Sequence, residues 1–315
     1  MNLKKQTKAS KSGFWKIRKD QWALMSMQLP AVLLLLIFAY IPMFGIVVAF
    51  KDLKFSQGIW GSPWNGIDNF KFLFKSNSLF ILLRNTIGYN LIGMFLGHLI
   101  PVILALCLER VRKHKFLIKT YQSGMFLPYF LSWIVVSYFT LSLFDYKTGI
   151  LNHLVTMLGG EKIAFYNEPK YWPFILIFFA VWKGLGHTTL VYYGSLLSVD
   201  PSLYEAATID GCTYFKRVWY ISLPHLTQSI VILVLLGLGS IFRSDYGLYY
   251  FIPRDTGALL KVTDTLDTYI FRTLRNATNV GLSSAIAFMQ SIVGLIFVIV
   301  GNTAARKIDP DVALF

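Results

Sequence analysis

Tyr204 to Leu226 reads YEAATIDGCTYFKRVWYISLPHL, a polar and charged island between two long apolar stretches. It holds Glu205, Asp210, Gly211, Lys216, Arg217 and Pro224 in a chain whose flanking segments are nearly free of charge. Just before it, Asp200 and Pro201 form a helix start, because the fixed φ of proline suits the first helical position. Ala206 and Ala207 favour helix and let another surface come close. Gly211 permits a sharp change of direction after Asp210. Phe215, Val218, Trp219 and Ile221 lead back to an apolar run that Pro224 introduces. The pattern predicts two short helices meeting at a glycine, with Glu205 exposed on the first as a charge for an external arginine or lysine.

Outward from this island the chain is apolar. Of its 315 residues 55% are hydrophobic and only 15% charged, which excludes the ordinary soluble class. Windows of about 20 uncharged residues match a hydrocarbon core roughly 30 Å thick. The expectation is an all-α membrane protein with six spans near 28–50, 85–108, 121–144, 172–197, 226–246 and 283–305. Pro30, Pro42, Pro101, Pro128 and Pro173 fall in or near them, and kinks rather than breaks are expected. Lys and Arg are denser on the side that carries 1–27, 109–119, the Glu205 loop and the C-terminus. The cluster Arg110, Arg112, Lys113, Lys115 and Lys119 is its strongest part, and this bias places both termini in the cytoplasm. The organisation is then a cytoplasmic tail 1–27, uncleaved because no cleavage site follows its apolar run, and a first span 28–50. After these come an extracytoplasmic loop 51–84, a core 85–305 with the cytoplasmic loop 200–224, and a cytoplasmic tail 306–315.

The formal charge of +14 raises the question of nucleic acid, but the cations sit at the ends of apolar runs rather than in one patch, so no nucleic-acid partner is expected; the partner is membrane lipid. Cys107 and Cys212 are far apart, and the five histidines have no ligand spacing, so no metal or cofactor is expected. No GxxxxGK[ST], HExxH or GxSxG occurs. The chain lacks the parts of an enzyme, and any nucleotide hydrolysis that drives it belongs to another chain.

Within the spans, Lys183 stands about 14 residues before the end of the fourth, roughly 20 Å along a straight helix. An ammonium at that depth faces protein or a water-filled cavity, or snorkels. Lys183 together with Trp133, Tyr138, Tyr192, Tyr193, Tyr246 and Gln290 are the candidates for a polar pathway, set against the plain alternative of interfacial aromatics and helix-to-helix contacts. Gly93 and Gly97 form a GxxxG that would allow close helix approach. Loop 51–84, with Trp60, Pro63 and Trp64, reads either as a plain interfacial connection or as a contact for an external partner. Leu266, Tyr269, Ile270 and Leu274 predict an amphipathic surface helix, either closing the fold or acting as a lid or docking surface.

Glu205-Ala206-Ala207, Asp210, Gly211 and the later Ile221-Ser222-Leu223-Pro224 resemble the EAA loop of permease subunits in binding-protein-dependent ABC importers. Cys212 stands where that family usually has alanine, and Gln228 near a frequent second proline. Trp182-Lys183, Arg254-Asp255-Thr256-Gly257, Asp267 to Arg272, Gln290 to Gly294, Asn302 and Ala313-Leu314-Phe315 are similar to its carbohydrate-type members. The resemblance implies a type I importer permease fold in the cell membrane, a second permease subunit, two ATPase subunits that hold ATP and Mg, and an extracytoplasmic solute-binding protein. It further implies an oligosaccharide substrate moved by alternating access, with Glu205, Ala206, Ala207, Asp210, Gly211, Leu223 and Pro224 in the loop that couples to the ATPase. A non-sugar substrate such as a peptide is the alternative. A membrane-embedded sugar-lipid enzyme would need clustered carboxylates, and a channel would have no use for the docking loop.

Overall fold

Lipid offers a backbone no hydrogen-bond partners, so apolar segments of this length close their N–H and C=O groups internally as helices. In the computed structural model, which describes residues 19–75, 78–276, 279–308 and 313, they do so. The tails before residue 19 and after 308 otherwise lie outside the described residues, and with them most of Ala313-Leu314-Phe315.

The first span is a unit of its own up to Val47. It opens with helix α1 (Lys19–Leu35) and runs as a candidate membrane crossing from Met25 to Phe50. Apolar side chains are exposed all round it, Leu29 to Leu36 and Phe38 among them. Before Pro42 the helix widens into a π turn, Leu36–Tyr40, in which Ile41 N–H donates to Leu36 C=O. A proline ring crowds the carbonyl four residues back, and one wider turn relieves it without breaking the helix.

In the second unit the long helices are α2 (Ser78–Arg110), α5 (Trp172–Leu197), α7 (Tyr214–Gly239) and α10 (Val280–Ile308). Tyr89 of α2 packs with Trp172, Ile175, Leu176 and Phe179 of α5, and Val102, Ala105 and Leu108 with Tyr192, Tyr193 and Leu196. The two helices therefore run in the same direction, which requires the chain between them to cross back. That return is made by α3 (Lys115–Phe126) and α4 (Trp133–Phe144), joined through a 3-10 turn at Leu127–Phe130 and bent by 98°.

The third span, expected to kink at Pro128, is thus a broken one, and with it the described residues hold five long apolar helices and a bent pair that makes the sixth. Pro128 tightens the turn, Leu131 and Ser132 are extended, and the Ser132 hydroxyl caps α4 by accepting from Val135 N–H. The expectation that these prolines do not break their spans holds at Pro30, Pro42 and Pro101, which stay within helical turns, and fails at Pro128.

Contacts between α2 and α7 link Leu106 with Tyr214 and Met94 with Gly237, so these helices are antiparallel. Leu235 meets Ala305, and Gly294 approaches the Gly239 carbonyl, so α10 is antiparallel to α7. The stretch Arg110 to Lys115, the island at 200–213 and the end of α10 consequently share one side of the bundle. The fifth span begins 12 residues earlier than expected, at Tyr214, because the second short helix expected after Gly211 is continuous with it.

Close helix approach occurs at other glycines than the GxxxG. A Cβ on Gly186 would run into the Met125 carbonyl, and one on Gly294 would sit 2.6 Å from the Gly239 oxygen. Gly93 and Gly97 meet nothing within 4 Å. Helix α9 (Leu266–Arg275) is the expected amphipathic one, with Leu266 buried and a capping box made by Thr265 and Thr268.

Candidate functional site

Asp200 starts helix α6 (Pro201–Ile209) by accepting the Ser202 N–H at 2.9 Å. That backbone donor holds the Asp200 carboxyl below its usual range. At the other end Gly211 has φ +71°, Cys212 N–H donates to Ala207 C=O at 2.8 Å and Gly211 N–H to Thr208 C=O at 3.1 Å. These two bonds make a Schellman motif, which only a residue at ease in the left-handed region closes without strain. The helix, glycine and helix expected from the sequence are present, with the second helix continuous with the fifth span.

Bonds across the angle make the island rigid. Arg217 Nη1 donates to Thr208 Oγ1 at 3.0 Å, and the Tyr204 and Ser222 hydroxyls lie 3.0 Å apart. Tyr214 donates to Leu106 C=O of α2 at 2.9 Å, with the Arg110 guanidinium 5.1 Å above its ring. Burial pushes the Tyr204 phenol up. A second π turn, Val218–Ser222, accommodates Pro224 as the first accommodates Pro42, with Leu223 N–H donating to Val218 C=O. None of the side chains of α6 is buried: Glu205, Ala206 and Asp210 are exposed, Ala207 half-exposed, and Ile209 is 87% exposed. A helix whose apolar residues face outward while its ends are capped has a surface left for a partner. Between α6, the end of α2 and the start of α7 lies an open cleft of about 1020 Å³.

Of the pathway candidates, the structure brings Lys183 and Trp133 into contact. Tyr192 is fully buried, its hydroxyl 2.7 Å from His98 Nδ1, and Tyr193 is 5% exposed. Gln290, 3% exposed, donates to Phe242 C=O and to the Asp267 carboxylate. These three offer no open face. Tyr138 and Tyr246 are exposed, the first beneath the Arg254 guanidinium at 6.0 Å and the second stacked on Phe271 at 5.0 Å.

Lys183 faces protein, one of the positions expected for it. Its ammonium donates to the Tyr129 and Leu131 carbonyls, the groups freed where the third span breaks, and stands 4.9 Å over the Trp133 ring. The Trp133 indole N–H in turn donates to Asp245, whose other oxygen accepts from Gly247 N–H at the start of α8 (Tyr246–Phe251). Asp245 was not singled out by the sequence reading, although Asp245 directly before an aromatic run is a helix-start signal.

Residues 97–314 match the family described as "Binding-protein-dependent transport system inner membrane component". Protein LplB of Bacillus subtilis (strain 168) is 33% identical over 295 residues, 94% of this chain and 92% of that protein. The polygalacturonan/rhamnogalacturonan transport system permease protein YteP of the same organism is 33% identical over 285 residues, 90% and 88% of the two chains. Among solved structures, a chain of the bacterial alginate ABC transporter in complex with an alginate pentasaccharide-bound periplasmic protein matches with a TM-score of 0.83 at 28% identity, covering 94% of this chain and 98% of that one. The fold is that of a type I ABC importer permease. This membrane chain belongs to the inner membrane components of binding-protein-dependent transport systems.

Proposed function

We propose that the chain is a permease subunit of an ATP-driven importer that passes oligosaccharides across the cell membrane by alternating access. It pairs with a second permease, receives substrate from an extracytoplasmic solute-binding protein, and takes its drive from two ATPase subunits that hold ATP and Mg. The observation that carries this reading is helix α6, capped at both ends, turned by a left-handed Gly211 and exposing Glu205 and Ile209. A rigid, exposed helix at the end of two spans is a lever on which a soluble subunit can push. The side shared by this lever and the basic stretch Arg110 to Lys119 is the cytoplasmic one, by the positive-inside bias. The saccharide class rests on relatives whose names give polygalacturonan/rhamnogalacturonan transport and alginate.

Coupling requires that the partner's contact differ between the two states, since a partner binding both equally shifts nothing. In the assembled importer, Gly211→Pro and Glu205→Lys each abolish or strongly lower substrate-stimulated ATPase activity and uptake. Activity and uptake at wild-type levels in both variants would falsify the coupling role. A glycan panel tested against the cognate solute-binding protein checks the substrate class, and capture of peptides in place of saccharides overturns it.

A further inference from the structure

The cleft beside α6 carries charge that the lever does not use. Arg110, Arg112 and Lys113 reach it from the end of α2 and the turn after it, and Arg217 reaches it from α7. Against these four cations stand two carboxylates, Glu109 and Glu205, an excess of two positive charges. None of the ion pairs among the described residues joins any two of the six. Arg217 spends Nη1 on Thr208, while its Nε is buried without an acceptor. Like charges crowded round a concave surface repel one another, and a buried guanidinium nitrogen without an acceptor is unusual. Both features are relieved by an incoming anion.

The faces of the helix that opens α7 say what kind of anion. Tyr214, Arg217 and Val218 line the cleft. Phe215, Trp219 and Tyr220 project from the opposite face, 80%, 68% and 75% exposed, and it is this aromatic face that suits the lipid interface. The helix thus stands between the cleft and the surface fitted to lipid. The cleft is also continuous with the docking face of α6, since Glu205 and Ile209 line both. We propose that the cleft is a second docking element, which receives acidic side chains, two carboxylates by charge, from the ATPase subunit that seats on α6. The proposal rests on the coupling reading above. Planar guanidinium groups hold carboxylates bidentately; Arg112 supplies such a fork, while Arg217, with Nη1 engaged by Thr208, adds its charge. Attraction of this kind speeds and orients association and is screened by salt.

The test uses the complete importer, with this chain, the second permease and the ATPase subunits, in nanodiscs of phosphatidylcholine. Arg112→Gln combined with Lys113→Gln weakens ATPase-subunit binding by about tenfold at low salt, a gap that closes as salt screens both proteins. Arg112→Lys alone keeps the charge and gives up the fork, so its affinity falls between wild type and the double variant, and an unchanged elution profile of the double variant separates loss of charge from loss of fold. An unchanged, equally salt-dependent affinity in the double variant overturns the proposal. So does a loss that appears only when phosphatidylglycerol is added to the disc, which would make the cleft a lipid headgroup site. Gly211→Pro, measured in parallel, keeps the two readings apart. If it lowers substrate-stimulated ATPase activity while the double variant leaves binding unchanged, the cleft proposal alone falls; if it also leaves stimulated activity and uptake at wild-type levels, the coupling reading falls as well.

Discussion

Two places in the chain interrupt a helix, and they do so by opposite means. At 209–213 the interruption is closed locally: Asp200 caps one end of α6, and Gly211 and Cys212 return their N–H groups to Thr208 and Ala207 at the other. At 127–132 the chain turns through 98°, and the carbonyls of Tyr129 and Leu131 are met by Lys183, more than 50 residues away on α5. The local closure leaves a surface free, and α6 presents Ile209 and Glu205 outward. The distant closure ties two spans together. Where a helix end has water or a partner to face, short-range capping suffices; within a bundle in lipid, a freed carbonyl must borrow a donor from another helix.

This contrast has consequences that mutation can break or sharpen. The largest effect is expected at Gly186, where α5 lies against the backbone of the broken span and a Cβ would strike the Met125 carbonyl. Gly186→Leu forces the elbow and α5 apart and costs about 3 kcal/mol or more, at the upper end of overpacking penalties. Loss of monodisperse protein in detergent, or a large fall in unfolding temperature, is the readout. Gly93→Ala, with nothing within 4 Å, is the control and leaves both unchanged.

A smaller loss is expected from Lys183→Met, which keeps the apolar stem and removes the donor to two carbonyls. The Leu131 carbonyl is part-buried and the Tyr129 carbonyl exposed, so the loss is about 1 kcal/mol, the low end of the range for an unsatisfied acceptor, read as a drop in global thermal stability. If the unfolding temperature is unmoved, water rather than the ammonium satisfies the elbow, and the contrast drawn here is lost.

The smallest change is expected at Asp200, and it is confined to α6. Its carboxyl is held below the usual range by the Ser202 N–H, so its contribution is complete above the unfolded-state pKa, about 4. As pH falls through the lower folded value the contribution is lost. Asp200→Ala therefore speeds amide hydrogen exchange in 201–209 at pH 6, and the difference from wild type narrows as the pH is taken below the unfolded-state value and through the lower folded one. The global unfolding temperature stays put. A global shift would mean that the island is tied into the bundle more tightly than its bonds to Leu106 and Ser222 indicate.

The same division separates what could be read ahead from what could not. The island was legible because its signals are adjacent in sequence: Asp200-Pro201, the alanines, Asp210-Gly211. The broken span was not, although Pro128 and Ser132 are a stop and a start, because both lie inside an apolar run whose length argued for one crossing with at most a kink. The start of α7 was misplaced for a related reason: Tyr214 to Ser222, with Lys216 and Arg217 among aromatic and aliphatic residues, read as a short helix separate from the span, yet form its first part. Glycine patterns misled in the same way. Gly93 and Gly97 have the spacing for close packing and meet no neighbour, whereas Gly186 and Gly294 do, and spacing on one helix says nothing of which face another helix will cover.

Taken by itself, the sequence determined that the chain is helical and built for lipid, because apolar length and the cost of bare backbone in hydrocarbon leave no other form. It also determined the capped helix and its glycine turn, whose hydrogen bonds close within a dozen residues. Only the tertiary structure decided that Tyr192, Tyr193 and Gln290 are buried while Tyr138 and Tyr246 are not, that Lys183 serves a broken helix, and that Arg110, Arg112, Lys113 and Arg217 share one cleft. Each of these depends on which helix faces meet. That choice is made by packing and by long-range donors and acceptors, whose partners are too far apart along the chain for any local pattern to name.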